Sequence, residues 1–314
     1  MNDCMKTRKF NGIITAFVAL SFILCLVFSE AVKEAIVSGI RLSVLSVIPT
    51  LFPFFVISDY FYKYKVENKQ GKKTGIFPKL FGISQSGTTA FLLGTLCGVP
   101  IGAKCAGELY RDGVITKDEA ERLTIISSTP SAAFTISVTG CGMTGSFYTG
   151  VLLYLSTAFA SMILGLILGR KRKYSQFTNV ISEQSFDFAE SIKSAGVSSI
   201  TVSSFIIFFS GAVGLFQKLV KNAPATLLFS VITEMGNGVF AISKSSISPD
   251  LKLPFYGFCL GFSGLSVFFQ TIGFLPKDIS KSRIFAYKIL HGLLSGLLIF
   301  LIYSVGLLLK RSNL

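Results

Sequence analysis

The chain has 314 residues, of which 51% are hydrophobic and 15% charged, and its mean hydropathy is +0.64. Apolar residues arranged in long runs are typical of membrane spans and exclude an ordinary soluble core as the main organisation. The formal net charge of +14 lies in short blocks beside those runs, so we interpret it as setting topology and attracting anionic lipid, and we expect no nucleic-acid partner.

Catalytic and metal-binding motifs are missing from the sequence. The six cysteines are scattered without a C-x-x-C pair, and His291 is the one histidine. No H-E-x-x-H, P-loop or G-x-S-x-G pattern occurs. We therefore expect no enzyme activity, no metal and no cofactor.

The N-terminal segment has a basic start, Lys6 to Lys9, followed by the apolar run Ile13–Phe28. A secretory signal peptide has the same layout. We prefer an uncleaved first transmembrane helix over 1–30, with a cytoplasmic N-terminus, because further spans follow. Cleavage remains the alternative.

The second span, Glu34–Tyr62, contains Pro49 and Pro53. Proline removes a backbone donor and clashes with the carbonyl one turn back, so we predict a structural break or kink at these two positions. The lysines of Lys63–Lys79 predict that the next loop is cytoplasmic.

A glycine-rich apolar segment follows, with Gly94, Gly98 and Gly102 at four-residue spacing around Pro100. Charged residues begin at once with Lys104. Small residues allow close helix packing, and the proline favours an unwound bend, which we place at Gly98. We predict a re-entrant hairpin that enters from the cytoplasm and returns to it, with a simple span as the alternative.

A helix is predicted to begin at Thr116, because Glu119 three residues on completes a capping pattern. It leads into the polar segment Ser127–Ser131, where Pro130 indicates a broken span. An ordinary span over Gly145–Gly169 ends this N-terminal half, 31–173, at a basic stop. A polar linker is predicted over 174–189.

The C-terminal half, 190–314, resembles the N-terminal half in inverted orientation. The segment Gly257–Ser266 matches the first hairpin, so we predict a second hairpin there, with breaks at Gly261 and Gly264. We expect Lys252 outside and a cytoplasmic C-terminus. The predicted fold is an all-α polytopic membrane protein with about six transmembrane helices and two re-entrant hairpins in an inverted repeat, an architecture of secondary transporters.

Polar groups near the predicted bends are the candidate substrate-binding residues, because intramembrane polar groups are costly unless they pair or face water. They are Pro100, Gly102, Lys104, Ser128, Thr129, Ser131, Glu234, Asn237, Ser263, Ser266 and Gln270. The competing interpretations are hydroxyls bonded to their own helix, glycines used for packing, a snorkelling Lys104, and a His291 that serves helix packing. We predict that both hairpin tips and Ser127–Ser131 converge on one polar cavity.

Four segments carry a resemblance to a known family, in this order along the chain: Pro49–Phe55, Gly98–Lys104, Ile115–Leu123 and Gly261–Gln270. They resemble the YlbJ family of sporulation integral membrane proteins, one of the Gate-domain, or nucleoside-recognition, membrane proteins. The resemblance implies a spore-former, a mother-cell or forespore membrane, and a role in spore cortex or envelope formation. It does not supply a substrate.

Two function hypotheses follow. The first is a permease-like carrier of a small polar solute or ion, lodged in the lipid bilayer of the cytoplasmic membrane. The alternative is a non-transporting scaffold for spore envelope assembly, which needs no polar midplane. The oligomeric state stays open, with a homo-oligomer among the options.

Overall fold

The computed structural model describes residues 15, 18–67, 75–170 and 187–312, and every regular element in those ranges is a helix. Most of the predicted first helix (1–30), most of the linker (174–189) and part of the Lys63–Lys79 loop lie outside the described residues. In the described ranges, five helices are long and apolar enough to cross a membrane. The predicted class, an all-α polytopic membrane protein, is confirmed.

The N-terminal half contains both α-helices and π-helical segments. They are α1 (Val18–Val27), α2 (Ser29–Leu42), a π-helical turn π1 (Ser43–Val47), α3 (Ile48–Glu67), α4 (Ile76–Phe81), α5 (Gln85–Cys97), α6 (Val99–Arg111), α7 (Lys117–Ile126), a π-helical segment π2 (Phe134–Thr144) and α8 (Phe147–Gly169).

The helices of the C-terminal half begin at Phe188. They are α9 (Phe188–Leu219), α10 (Ala223–Thr233), α11 (Met235–Lys244), α12 (Pro249–Phe262), α13 (Gly264–Gly273) and α14 (Lys281–Ser312). The five candidate spans are Ser29–Tyr60, Phe147–Gly169, Phe188–Leu219, Pro249–Gly273 and Lys281–Val305, while α1 and α10 are apolar but shorter.

The first of these spans continues through both of its prolines. Pro49 and Pro53 lie inside α3, and α2, π1 and α3 together form the span Ser29–Tyr60. The helix is therefore continuous at both prolines, and a kink at either position stays a prediction. The turn π1 lies directly before α3, and its wider turn leaves room for the ring of Pro49 beside the carbonyl of Leu45, one turn back.

The helices α5 and α6 form a tight hairpin. The chain reverses at Gly98, which has a φ of 106° and a ψ of 173°, a backbone region open almost only to glycine. A methyl group on Gly94 would lie 2.7 Å from the Cα of Gly102, although a continuous helix would separate these residues by about 12 Å. Glycines on both arms therefore let the two backbones touch.

The second hairpin lies at α10 and α11. The chain reverses at Glu234, and a methyl group on Gly238 of α11 would lie 2.9 Å from the Cα of Val231 on α10. The prediction of a second hairpin at Gly257–Ser266 is wrong, because α12 and α13 continue as the single span Pro249–Gly273. That span bends at Ser263 and Gly264, whose φ values are 64° and 77°.

Gly261 has a packing role and lies inside α12 rather than at a break, which corrects its assignment as a bend. A methyl group on Gly261 would lie 2.9 Å from the Cα of Gly292 on α14, and one on Gly257 would lie 3.0 Å from the Cα of Gly296. The glycine spacing that suggested a hairpin instead builds a small-residue seam between two long helices.

The bundle has two opposite ends. At one end, Arg283 at the start of α14 pairs with Glu121 of α7 (2.8 Å), and we call this the basic end. At the other end, the Tyr303 hydroxyl of α14 donates to Asp250 Oδ1 of α12 (3.0 Å), and we call this the far end. Because α14 runs from the basic end to the far end, its C-terminus and Lys252 lie on the same side. A cytoplasmic C-terminus and an outside Lys252 cannot both be correct.

The two hairpins enter the bundle from opposite ends. The α6 arm reaches the basic end, where Arg111 Nη1 donates to the Phe274 carbonyl (3.1 Å). The α11 arm reaches the far end, where Lys252 Nζ donates to the Ser243 carbonyl (2.9 Å). Each half then consists of a span, a hairpin, a broken span and a further span in reversed direction. This order is compatible with the predicted halves 31–173 and 190–314.

Candidate functional site

The first broken span is interrupted between α7 and π2. Proline at position 130 has no amide hydrogen and disfavours a helical conformation in the residue before it, so the helix stops at Ile126. It restarts after Ser131, whose hydroxyl accepts from the Phe134 amide (3.2 Å). The tip of the α5–α6 hairpin lies against this break, since a methyl group on Gly98 would be 3.0 Å from the Ser131 nitrogen.

The second broken span repeats this contact in the other half. Ser263 and Gly264 interrupt α12 and α13, and the tip of the α10–α11 hairpin lies against them. A methyl group on Gly264 would be 3.0 Å from the Glu234 nitrogen and 3.1 Å from the Thr233 carbonyl. Each hairpin tip is therefore packed against the break of the span that follows it.

Both tips and both broken spans line one central cavity of about 80 Å³, large enough for several water molecules. Of the predicted residues, it is lined by Gly98, Pro100, Pro130, Ser131, Glu234 and Gln270. Its walls are mostly apolar, supplied by side chains such as Leu51, Val202 and Val267, so the expected polar cavity is polar only at a few points.

Glu234 supplies the carboxylate of that cavity, and Gln270 supplies its amide. The Glu234 side chain is 3% exposed, and its Oε2 accepts from the Asn237 amide at the start of α11 (2.7 Å). Gln270 Nε2 donates to the Ser266 hydroxyl one turn back on α13 (3.2 Å). Both groups are held by local contacts, which fixes their direction in the cavity.

A larger cavity of about 1000 Å³ adjoins the central one. The two share Leu42, Phe134, Val138 and Gly236 in their linings. The larger cavity continues along α10 and α11 as far as Lys244 and Ser245, near the far end. Asn237 lies in its wall, where its Nδ2 donates to the Ser210 hydroxyl (3.1 Å). We call this space the vestibule.

Lys104 lies away from the central cavity, contrary to its predicted role there. Its ammonium donates to the Ser194 hydroxyl (2.9 Å) and is 3.9 Å from Asp59 Oδ1 and 4.0 Å from Glu108 Oε1. The Asp59 side chain also accepts from the Ser191 hydroxyl (2.5 Å). Lys104 therefore links the hairpin to α3 and α9, and the buried Asp59 that it meets was not found from the sequence.

The remaining predicted residues serve the breaks themselves. Gly102 lies against Ser127, and the Thr129 hydroxyl donates to the Thr95 carbonyl (3.2 Å). Ser128 and Ser263 contact Lys288 of α14. None of these four predicted residues (Gly102, Ser128, Thr129 and Ser263) lines the central cavity.

A buried lysine on α14, missed in the sequence, connects the two breaks. Lys288 is 3% exposed, and its Nζ donates to the Ser128 carbonyl (3.0 Å) and the Ser263 hydroxyl (3.2 Å). One turn on, the ring nitrogens of His291 lie 3.0 Å from the Gly261 carbonyl and 2.9 Å from the Thr157 carbonyl. A single lysine inside an apolar helical run was the available signal.

Charged residues from both halves pair with one another at the basic end. Arg122 of α7 pairs with Asp118 and donates to the Gly82 carbonyl (2.7 Å). Arg283 bridges Asp118 (3.1 Å) and Glu121 (2.8 Å). We call these side chains the basic-end network, and they join α7 to α14.

A second contact between the halves lies at the surface of the same end. The Tyr110 hydroxyl of α6 donates to Asp278 Oδ2 in the loop before α14 (2.6 Å). This bond lowers the pKa of the Asp278 carboxyl below its ordinary value.

Comparison with known proteins shows a similarity to a sporulation membrane protein. The chain is 25% identical, over 350 aligned positions, to the sporulation integral membrane protein YlbJ of Bacillus subtilis strain 168. The alignment covers 96% of this chain and 85% of that protein. This similarity supports the assignment of the chain to the YlbJ family.

No protein-family model and no solved structure matches the chain. The printed name of the relative places that protein in sporulation and in a membrane, while the chemistry of this chain must come from its own residues. Among the residues that the structure describes, no group of three or more His, Cys, Asp or Glu side chains could hold a metal ion.

Proposed function

We propose that this YlbJ-family protein is a permease-like carrier of Gate-domain type, which moves a small polar solute or ion across a membrane of the sporulating cell. The sporulation context comes from the name of the Bacillus subtilis relative. A need for the transported species in spore cortex or envelope formation, and a mother-cell or forespore location, belong to the same proposal.

The observation that carries the proposal is the convergence of two hairpin tips and two broken spans on one cavity. A broken helix leaves backbone amides and carbonyls without intrahelical partners, and these groups are costly in lipid unless protein, water or a ligand meets them. Secondary transporters use such breaks near the midplane to bind solutes. A scaffold has no need to place four breaks together.

The difference between the two ends supports alternating access. The vestibule of about 1000 Å³ extends from Lys244 and Ser245, near the far end, to side chains that also line the central cavity. At the opposite end, the side chains of Asp118, Glu121 and Arg283 pair between the two halves, and they line neither the central cavity nor the vestibule. The positive charges at that end, including Arg111 and Lys281, favour a cytoplasmic location for it. The protein then has the form expected of a carrier open to the outside.

Two side chains are assigned to solute binding. Glu234 brings a carboxylate, and Gln270 brings both a donor and an acceptor, into an otherwise apolar space. A few directed polar groups in an apolar cavity give orientation and selectivity. The room of about 80 Å³ limits the bound part of the solute to a few heavy atoms or an ion with its water.

A ligand-stabilisation screen tests the proposal. The chain lacks tryptophan, so unfolding is followed with a thiol-reactive fluorescent dye that reports exposure of the buried Cys97, Cys105 and Cys259. A solute that binds only the folded protein raises the melting temperature by mass action. We expect at least one small polar solute or ion to do so.

Matched variants distinguish the carrier from the scaffold. Glu234→Gln and Gln270→Ala should stay folded but lose the ligand response and fail to support spore formation in Bacillus subtilis lacking YlbJ. Ser204→Ala, on the exposed face of α9, should behave as wild type. If no solute stabilises the protein and both cavity variants support spore formation fully, the carrier proposal is wrong and the scaffold replaces it.

A further inference from the structure

The ends of two half-helices meet at Lys288. The last four carbonyls of a helix have no intrahelical partner, and the helix dipole places partial negative charge there. α7 ends at Ile126 and α12 ends at Phe262, and Lys288 Nζ binds just beyond each of them, at the Ser128 carbonyl and the Ser263 hydroxyl. The ammonium thus receives negative charge from both halves of the protein.

The surroundings of this ammonium contain oxygen atoms and no carboxylate. Lys288 takes part in none of the ion pairs within 4.0 Å among the described residues. The Ser128 hydroxyl is also buried, and no hydrogen-bond partner for it occurs in the described part of the chain. The Ser128 carbonyl and the Ser263 hydroxyl, at the ends of broken helices, are oxygen ligands of the kind suited to a monovalent cation.

We propose that the Lys288 ammonium is a built-in cation, which fills a position where the broken helices would otherwise bind an alkali-metal ion such as Na⁺. The side chain of α14 then offsets the partial negative charge of the two half-helix ends. For the proposed carrier, on which this consequence rests, it follows that no sodium ion is needed to hold the two breaks together.

His291 lies against a neighbouring carbonyl of the same helix end. Its Nδ1 lies 3.0 Å from the carbonyl of Gly261, in the last turn of α12. One face of α14 therefore meets the end of α12 twice, through His291 and through Lys288 three residues earlier. Lys288 also reaches the residues just beyond the end of α7, so this lysine contacts both half-helix ends.

Removing the ammonium should create a sodium site. Lys288→Ala leaves the Ser128 and Ser263 oxygens without their partner, and Na⁺ should bind them. We expect the melting temperature of this variant to rise with sodium chloride relative to choline chloride, by about 2 °C per tenfold concentration above the Kd. The wild-type melting temperature should be the same in both salts.

Two controls make the result specific. Lys252→Ala removes a lysine that also caps a helix end, at the Ser243 carbonyl, but it lies at the partly exposed far end and should show no sodium response. In the Lys288→Ala background, Ser263→Gly deletes the hydroxyl while suiting the φ of 64°, and it should abolish the response.

The proposal is overturned if Lys288→Ala folds and melts identically in sodium and choline, or if wild type responds to sodium equally. It is also overturned if Lys288→Ala is unfolded in both salts while Lys288→Met folds, since the lysine stem then serves only packing. Each result leaves the carrier proposal intact, because solute binding is measured separately.

Discussion

The seam between α12 and α14 allows a sharp test with two alanine substitutions. A Cβ on Gly261 would lie 2.9 Å from both the Cα of Gly292 and the carbonyl oxygen of His291, and 2.5 Å from the Ser295 hydroxyl. Two of these neighbours are backbone atoms, which cannot rotate away. Gly261→Ala must therefore push the helices apart or strain them.

The control is Gly196→Ala in α9, where a Cβ would meet no atom within 4 Å. Both glycines are inside helices, so both variants gain about 1 kcal/mol of helix propensity. Only Gly261→Ala incurs the overpacking cost of about 1–3 kcal/mol. The difference between the variants isolates the steric term.

The measured quantity is the apparent melting temperature in detergent, followed with the thiol-reactive dye at one scan rate, because membrane proteins often unfold irreversibly. At roughly 2–4 °C per kcal/mol, Gly261→Ala should melt about 2–12 °C below Gly196→Ala. Equal melting temperatures for the two variants would refute the close approach of α12 and α14.

The other predictions concern the first hairpin, the basic end and topology. Gly98→Ala should cost about 1–3 kcal/mol or more in thermal unfolding, because its backbone region is nearly closed to other residues and Ser131 lies 3.0 Å away. Gly113→Ala, with a φ of 69° and open space, should cost less, and the reverse order would contradict the hairpin packing. A double-mutant cycle of Arg283→Ala and Glu121→Gln, read by thermal unfolding, should give a coupling of about 1–3 kcal/mol, whereas additive effects would mean that their contact carries no stability. Single cysteines at Lys252 and Tyr303 should react with a membrane-impermeant reagent from the same side, and labelling from opposite sides would disprove the path of α14.

The sequence by itself determined the class of the protein and the position of the Pro130 break. Long apolar runs require helices in a bilayer, because every backbone group must be satisfied within its own segment. Pro130 coincides with the interruption between α7 and π2, whereas Pro49 and Pro53 lie inside α3, so a proline marks a candidate break that the rest of the fold either uses or bridges. Glu234, Gln270 and Ser131 could be selected in the same way, since polar groups in apolar runs are expensive and stand out.

Tertiary structure decided the role of the glycines. Spaced glycines allow close approach, but spacing alone does not say whether the partner is the next helix in the chain or a distant one. Gly94 and Gly102 meet each other across a hairpin, whereas Gly257 and Gly261 meet α14. The second hairpin was therefore misplaced, and the true reversal at Glu234 had no glycine pattern to mark it.

The partners of the charged residues were likewise decided only by the fold. Lys104 follows a bend in sequence, yet Asp59, 45 positions earlier, lies 3.9 Å from it and draws it away from the cavity. Lys288 lies in a long apolar helix and gave a weak local signal, but the fold brings two half-helix ends to it. Electrostatic partners depend on distances in space, and in this chain those distances are set by how the two halves pack.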